Sequence, residues 1–398
     1  MNIYTTAEIS GVWSAQSVLA GWRSVEIAVL HAQSQLGVVP TSWYRLALER
    51  PVPSTSDWEA ATARCGHEMV GFLDAWGLDH VHIGITSSDI VDTALALRIR
   101  ATNNIVLWRL DALHFALTGL VGSAGGQPRL GRTHGQAAAP MLLGHVFERW
   151  LGAVHRAERL LRLSRADVEV CMISGPVGSY LHVSPAVEAL VAERLGLRVA
   201  GAQSQIVTRD ALAVWVAQMA GIVTICEAIG LELRLMQHTS IGEALPPAGV
   251  SSSAMPHKTN PSRAERLAGL GRLSRSFYEP VASGVPQWHE RDMAHSSVER
   301  TILPQLAGFV SFALEEVTAL LTRTHFDPAR AKAALNSSLL EAHTHSAQTA
   351  LQLAGVSHGE AQRVTLEAYR ASTSLKQFIK RIERHDSKPK FKTPTPHS

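Results

Sequence analysis

The segment Gly249-Val250-Ser251-Ser252-Ser253-Ala254-Met255-Pro256-His257-Lys258-Thr259-Asn260-Pro261 gathers hydroxyls, a cation, an amide and two prolines into one short run. Its small residues and prolines argue against a regular helix or a central strand. It reads as a loop between helices that presents polar groups to a ligand. Its hydroxyls suit proton transfer, and Lys258 suits a substrate carboxylate or a developing anion. The same composition also suits a solvated linker.

Three further segments carry chemistry-bearing residues. His82-Ile83-Gly84-Ile85-Thr86-Ser87-Ser88-Asp89 precedes a helical pattern from about Ile90. Thr86 to Asp89 suit helix capping. A helix N-terminus with hydroxyls equally suits a carboxylate or a phosphate. Gly131-Arg132-Thr133-His134-Gly135-Gln136 sets a histidine among small and polar residues, just before Pro140 and a long helix. Such a loop histidine serves either structure or proton transfer. Trp288 to Arg300 concentrates ionisable residues. That run suits a solvated face, or joint binding of one anion by Arg291 and Arg300 with Ser296 between them.

Long helices must position these segments. No proline falls between Pro53 and Pro128, between Pro140 and Pro176, or between Pro185 and Pro246. Apolar residues recur at Leu143, Val146, Phe147, Trp150, Leu151 and Val154, the three-and-four spacing of a helix face. Leu212, Trp215, Met219, Val223, Cys226 and Leu233 repeat it. The second pattern predicts a helix from about 208 to 242, roughly 50 Å long at 1.5 Å per residue. A helix of that length needs others beside it, so an all-α fold with a long central bundle is expected. The segments divide into an N-terminal helical domain (1–90), a central bundle (91–326) and a small helical C-terminal domain (327–384). Residues 385–398, rich in Lys, Pro, Thr and Ser, are expected to form a disordered tail.

Composition narrows the function classes. The 398 residues are 46% hydrophobic and 18% charged, which gives ample material for a core. The net charge of +3 and the lack of a basic stripe interleaved with aromatics argue against a nucleic-acid partner. Cys65, Cys171 and Cys226 are too sparse for a disulfide framework or a zinc site, and fit a reducing cytoplasm. No metal-ligand spacing occurs, so neither metal nor other cofactor is expected. The start of the chain has no signal-peptide pattern. The apolar run Leu212 to Leu233 carries Gln218 and Glu227 and reads as a buried core helix, not a membrane span.

Residues 252–261, Ser-Ser-Ala-Met-Pro-x-Lys-x-Asn-Pro, resemble the signature loop of the fumarase/aspartase superfamily. Thr-Ser-Ser-Asp-Ile-Val-Asp-Thr at 86–93, Gly-Arg-Thr-His-Gly-Gln at 131–136 and His-Glu-Arg-Asp-Met-Ala-His-Ser-Ser-Val-Glu-Arg at 289–300 resemble motifs of its adenylosuccinate lyase branch. Ile173 to Gly178 and Gln205 to Asp210 also look like segments of that family. The resemblance implies a three-domain all-α fold and a homotetramer whose central helices form one bundle. Each active site would draw on three subunits, with a small anionic substrate and no membrane partner. It further implies elimination of fumarate from an N-succinyl group. Ser252 matches the catalytic base, His134 the general acid, and His67 the histidine that assists it. Lys258 and Asn260 match residues that hold the succinyl carboxylates, with Thr86, Ser87, Thr133 and Gln205 around them. Arg291, Ser296 and Arg300 match a phosphate-binding set, and Tyr4 half of an Arg-Tyr pair with the same task. These roles are chemically coherent, because a serine anion needs a cation such as Lys258 beside it.

The chain also departs from the family pattern. Ile3 stands where an arginine is usual, Cys65 and Gly66 replace Thr-Arg before His67, Glu68 replaces Asp after it, and Thr259 replaces Arg. The proton-transfer positions are intact. Loss of a guanidinium removes a charge-assisted contact of about 1.5–3 kcal/mol. These departures motivate an alternative, a lyase acting on a different aspartate adduct in specialised metabolism. A cycloisomerase and a non-catalytic scaffold are further alternatives, which the intact motifs disfavour.

Overall fold

The computed structural model describes residues 3–245, 255 and 257–385. Helices dominate, as the proline gaps and apolar spacing predict. The longest are Ser87–Ala124, Ala294–Arg323, Asp210–Met236 and Gly144–Val168. The third is shorter than the predicted 208–242. After Met236 the chain turns through His238 to Gly242, whose φ of 64° is left-handed. The expected tail at 386–398 lies outside the described residues.

The chain forms two compact units, each visited three times. The first comprises residues 1–112, 154–227 and 267–316. Its core gathers on Ala15–Gln35, where Leu19, Trp22, Val25 and Leu30 pack with Phe72, Trp76, Ile90 and Val187. Trp22 meets Trp58 and Phe72 edge-on, with ring centroids 5.8 and 5.6 Å apart, a geometry that aligns positive ring edges with negative faces. Buried polar contacts fix the long helices of this unit. Trp215 Nε1 donates to Asn103 Oδ1 at 2.8 Å, and Thr6 shares a hydrogen bond with Ser311 at 2.9 Å.

The second unit comprises residues 113–153, 228–266 and 317–398. Its described part includes a β-hairpin that the sequence patterns do not predict. Pro128–Thr133 pairs antiparallel with Gln136–Leu142. The register shifts between Leu130 and Arg132, around Gly131, where an added Cβ would lie 2.8 Å from the Ala139 carbonyl oxygen. The helices Pro328–Ser337 and Leu339–Leu353 pack on these strands. Leu351, Val364, Phe378 and Ile382 form a small core of their own. The remaining two-residue ladders, Val170–Cys171 with Arg198–Val199 and Ala244–Leu245 with His325–Phe326, do not alter the all-α class.

By length and composition, Ser87–Ala124 and Asp210–Met236 are apolar enough to cross a membrane. Arg209, Asp92 and Asn103 make buried polar contacts on or beside them, which suits core helices better than lipid-facing ones.

Candidate active site

In the first unit, the start of Ser87–Ala124 is a built site. Thr86 N–H donates to Asp89 Oδ2 at 2.8 Å, the backward half of a capping box. Asp89 also accepts from Ser174 N–H at 2.9 Å and from Gly175 N–H at 3.2 Å. One carboxylate therefore binds the helix start to the 173–178 loop. Burial pushes the Asp89 carboxyl up to about 6, against the pull of those three N–H groups and of His82. His82 has a left-handed φ of 61°. Its Nδ1 lies 2.6 Å from buried Glu26, which also accepts its backbone N–H. Thr86 and Ser87 are thus half-buried at a helix N-terminus whose entry is held on both sides.

Gln205 and Arg291 meet at the same place. Arg291 donates to Ser88 Oγ and to Gln205 Oε1, each at 2.9 Å. Gln205 donates from Nε2 to the Pro176 carbonyl at 2.9 Å, and its backbone N–H donates to the Glu290 carbonyl. Burial lowers the Arg291 pKa, with Arg209 and Arg300 adding like-charge repulsion. Its Nε is buried and makes no hydrogen bond.

Beneath this contact lies an ion network whose roles the motifs did not reveal. Arg209 forks onto both oxygens of Asp92, at 2.7 and 2.9 Å. Its Nε donates to Glu299 at 2.7 Å. Arg209 and Asp92 side chains are 4% and 5% exposed, so each charge depends on its partner. Burial works against the charge on Arg209, but Asp92 and Glu299 override it and hold its pKa above the ordinary arginine value. Burial raises the Glu299 carboxyl, with Arg209 opposing. The network ties segments 86–93, 205–210 and 289–300 into one body. Each of the three residues sits in a motif, but only the fold shows that they meet.

Ser296 and Arg300 occupy the first turns of Ala294–Arg323. Arg300 pairs with Glu68. His67 is the N-cap of Glu68–Trp76, its Nδ1 accepting from Val70 N–H at 3.4 Å. In the neutral ring the hydrogen then sits on exposed Nε2, the form that suits proton relay. Gly66 ends the preceding helix with a φ of 72°. Tyr4 packs edge-on against Phe309 and Phe312, at 6.4 and 5.6 Å.

In the second unit, Thr133 pairs with Gln136 around a two-residue turn. His134 and Gly135 form that turn with φ of 53° and 75°, the left-handed pair of a type I′ hairpin. His134 is exposed at the tip. The hairpin base is anchored by charge. Arg132 donates to Glu243 Oε1 at 2.9 Å. Arg129 meets Glu243 Oε2 at 3.0 Å as an ion pair without an aligned hydrogen bond. Glu243 leads directly into Ala244–Leu245, the approach to the signature loop. Ser252 lies outside the described residues. Lys258 is exposed and its N–H donates to the Met255 carbonyl at 2.9 Å; Asn260 is half-buried just before Ser262–Ser276. Among the described residues, no group of three or more His, Cys, Asp or Glu side chains is placed to hold a metal.

Comparison with known proteins places the chain in a family. A lyase family profile matches residues 59–272. The adenylosuccinate lyase of Synechocystis sp. is 34% identical over 345 residues, covering 84% of this chain and 79% of that protein. The adenylosuccinate lyase of Aquifex aeolicus is 36% identical over 313 residues, covering 76% and 72%. Among solved structures, a fumarate lyase from Mesorhizobium sp. superposes with a TM-score of 0.85 at 22% identity, covering 96% of this chain and 90% of that one. That last likeness speaks for the fold alone.

Proposed function

The chain belongs to the adenylosuccinate lyase-like branch of the fumarase/aspartase superfamily and is a carbon–nitrogen lyase; from that premise we propose that it eliminates fumarate from adenylosuccinate or a close N-succinyl relative. The observation that carries this reading is the convergence of three motif segments, through Arg209 and Arg291, on the start of Ser87–Ala124.

In the proposed reaction, the Ser252 alkoxide removes a proton from the carbon beside one succinyl carboxylate. Lys258 and Asn260 hold the carboxylates and stabilise the aci-carboxylate that forms. The C–N bond then breaks, its electron pair goes to nitrogen, and His134, assisted by His67, delivers the second proton. Products are fumarate and the free amine. Thr86, Ser87, Thr133 and Gln205 line the succinyl group. Arg291, Ser296, Arg300 and Tyr4 hold the phosphate end.

The same reading makes the protein a homotetramer with three-domain subunits, active sites shared between three chains, and a place in the cytoplasm, in purine biosynthesis. Surface chemistry supports the oligomer. Trp108 and Phe115 on one long helix and Leu231 and Leu235 on another are 59%, 81%, 50% and 51% exposed in the single chain. Large apolar side chains on core helices suit burial against further helices. The named relatives favour the adenylosuccinate type over the altered-adduct, cycloisomerase and scaffold alternatives.

The test is fumarate release, followed by absorbance, from adenylosuccinate and from phosphate-free succinyl amines. Turnover of adenylosuccinate is expected, and Ser252→Ala is expected to abolish it while circular dichroism stays helical. No release from any N-succinyl compound would overturn the proposal, and near-normal activity of Ser252→Ala would overturn the base assignment.

A further inference from the structure

We infer that Arg98, a residue outside every motif above, is a specificity-determining cation that works with Arg300 on the phosphate group of the substrate. The inference rests on the phosphate role proposed for Arg300.

Arg98 lies on Ser87–Ala124 with its guanidinium stacked over Trp13, 5.1 Å from the ring centroid. Trp13 is itself fixed by donating to Thr102 Oγ1 at 3.0 Å. Among the described residues no carboxylate pairs with Arg98, and its buried Nε makes no hydrogen bond. The fully buried arginines of this unit are matched to carboxylates. Arg209 holds Asp92 and Glu299, and Arg109 holds Glu8 and Glu315. Arg98 is half-buried, with Nε shut off from water and the rest of the fork still reachable, a placement that suits an anion arriving from outside the chain.

The helix register places Arg98 beside Arg300. Arg209 clamps Asp92 and Glu299 together, and Arg109 pairs directly with Glu315. Ser87–Ala124 and Ala294–Arg323 therefore run side by side in the same direction. On that register Arg98 lies about one and a half turns beyond the level of Arg300, near 8 Å along the axis at roughly 1.5 Å per residue. Arginine side chains span such a gap. Arg98 feels the charge of Arg300: burial first, then that like charge, holds its pKa down at about 10. Two guanidiniums this close repel unless an anion lies between them. Arg300 already carries one, the Glu68 carboxylate, which marks where an incoming anion would sit. A phosphate dianion offers three oxygens to fork-shaped donors, and it satisfies both cations where one carboxylate serves only Arg300.

The experiment compares fumarate release from adenylosuccinate and from its phosphate-free nucleoside, for wild type, Arg98→Met and Arg98→Lys. Loss of one charge-assisted contact predicts that Arg98→Met raises KM for adenylosuccinate roughly 10- to 100-fold more than KM for the nucleoside. Arg98→Lys is expected to recover part of that gap, because it restores charge without the fork. Equal effects on both substrates, or none, would overturn the inference. Thermal melts with inorganic phosphate supply an independent reading: phosphate should raise the Tm of wild type more than that of Arg98→Lys or Arg98→Met. An equal rise in all three overturns the inference, even if wild type releases no fumarate and the lyase reading itself has failed. If Arg98→Met does not fold, Arg98→Lys alone decides by the same two comparisons.

Discussion

Replacement of Glu243 by glutamine should loosen the hairpin that carries His134. Glu243 is 4% exposed and faces two guanidiniums, Arg129 at 3.0 Å and Arg132 at 2.9 Å. The glutamine is isosteric, but only its carbonyl oxygen accepts, so its NH2 must face one guanidinium. Breaking a buried pair by removing one partner costs about 3–5 kcal/mol. Arg129 keeps a second carboxylate, Glu232 at 3.4 Å, and Arg132 is 20% exposed and can draw on water. Both favour the lower end, about 3 kcal/mol, which is roughly a 100-fold change in an opening equilibrium at 1.36 kcal/mol per factor of ten. Hydrogen exchange read by mass spectrometry on peptides covering 128–142 should therefore speed up about 100-fold. Peptides from Ala15–Gln35, packed in the first unit, serve as the control. The proposed acid role of His134 adds that kcat for fumarate release should fall in the same variant. Unchanged exchange at 128–142 would refute the view that Glu243 anchors the hairpin.

Three further outcomes are expected. In Gly178→Ala, the new Cβ would lie 2.2 Å from the Gln203 carbonyl oxygen and 2.8 Å from that of Ser204, at a φ of +72°. The 203–205 loop must then shift, and a displacement near 1 Å at Gln205 should lower kcat/KM by about 100-fold; wild-type kinetics would contradict this. Asp89→Asn removes a carboxyl whose native pKa, about 6, lies above its ordinary value of 3.8. The native state binds the extra proton between those values, so the stability contributed by this group is present below about pH 4 and is lost as pH rises through 6. Urea denaturation should show wild type losing up to about 3 kcal/mol relative to Asp89→Asn between pH 4 and pH 7, and a pH-independent difference would rule it out. Glu68→Gln frees Arg300 from a pair whose side chains are 57% and 36% exposed, worth no more than about 1 kcal/mol. KM for a phosphorylated substrate should drop by up to about fivefold, and a rise would show that Glu68 assists binding.

Helices were legible because their signals are local. The spacing of Val146, Phe147, Trp150 and Val154 describes one face of Gly144–Val168, and these four side chains are buried. The hairpin was not, because Ala137-Ala138-Ala139-Pro140 has no alternation and a proline marks a loop in most contexts. Pro140 is tolerated where the strand has only one partner. The turn signal was present in His134-Gly135, since a two-residue hairpin turn demands positive φ. The motifs named the residues proposed to touch a substrate. They did not reveal what holds those residues, because Arg209 reaches Asp92 across 117 positions and Glu299 across 90. Nor did they mark Arg98, which no motif contains.

The departures from the family pattern take on structural sense together. Gly66 sits at the left-handed end of Thr55–Cys65, and an added Cβ there meets nothing within 4 Å. Any other residue would bear the cost of that φ, roughly 1–2 kcal/mol. Gly66 therefore exchanges a cation for an unstrained helix end. Two residues on, Glu68 is one methylene longer than the usual aspartate and engages Arg300. The two changes act on the free cations in the same direction: one cation is absent, and a second is held by an internal carboxylate. Ile3, 67% exposed, supplies no cation to offset this. A site depleted in that way would bind a phosphate poorly unless a cation enters from elsewhere, and Arg98 on Ser87–Ala124, which has no carboxylate partner among the described residues, is placed to supply it. The departures thus fit a phosphate site rebuilt from a different helix, which reconciles them with the similarity to the adenylosuccinate lyases of Synechocystis sp. and Aquifex aeolicus.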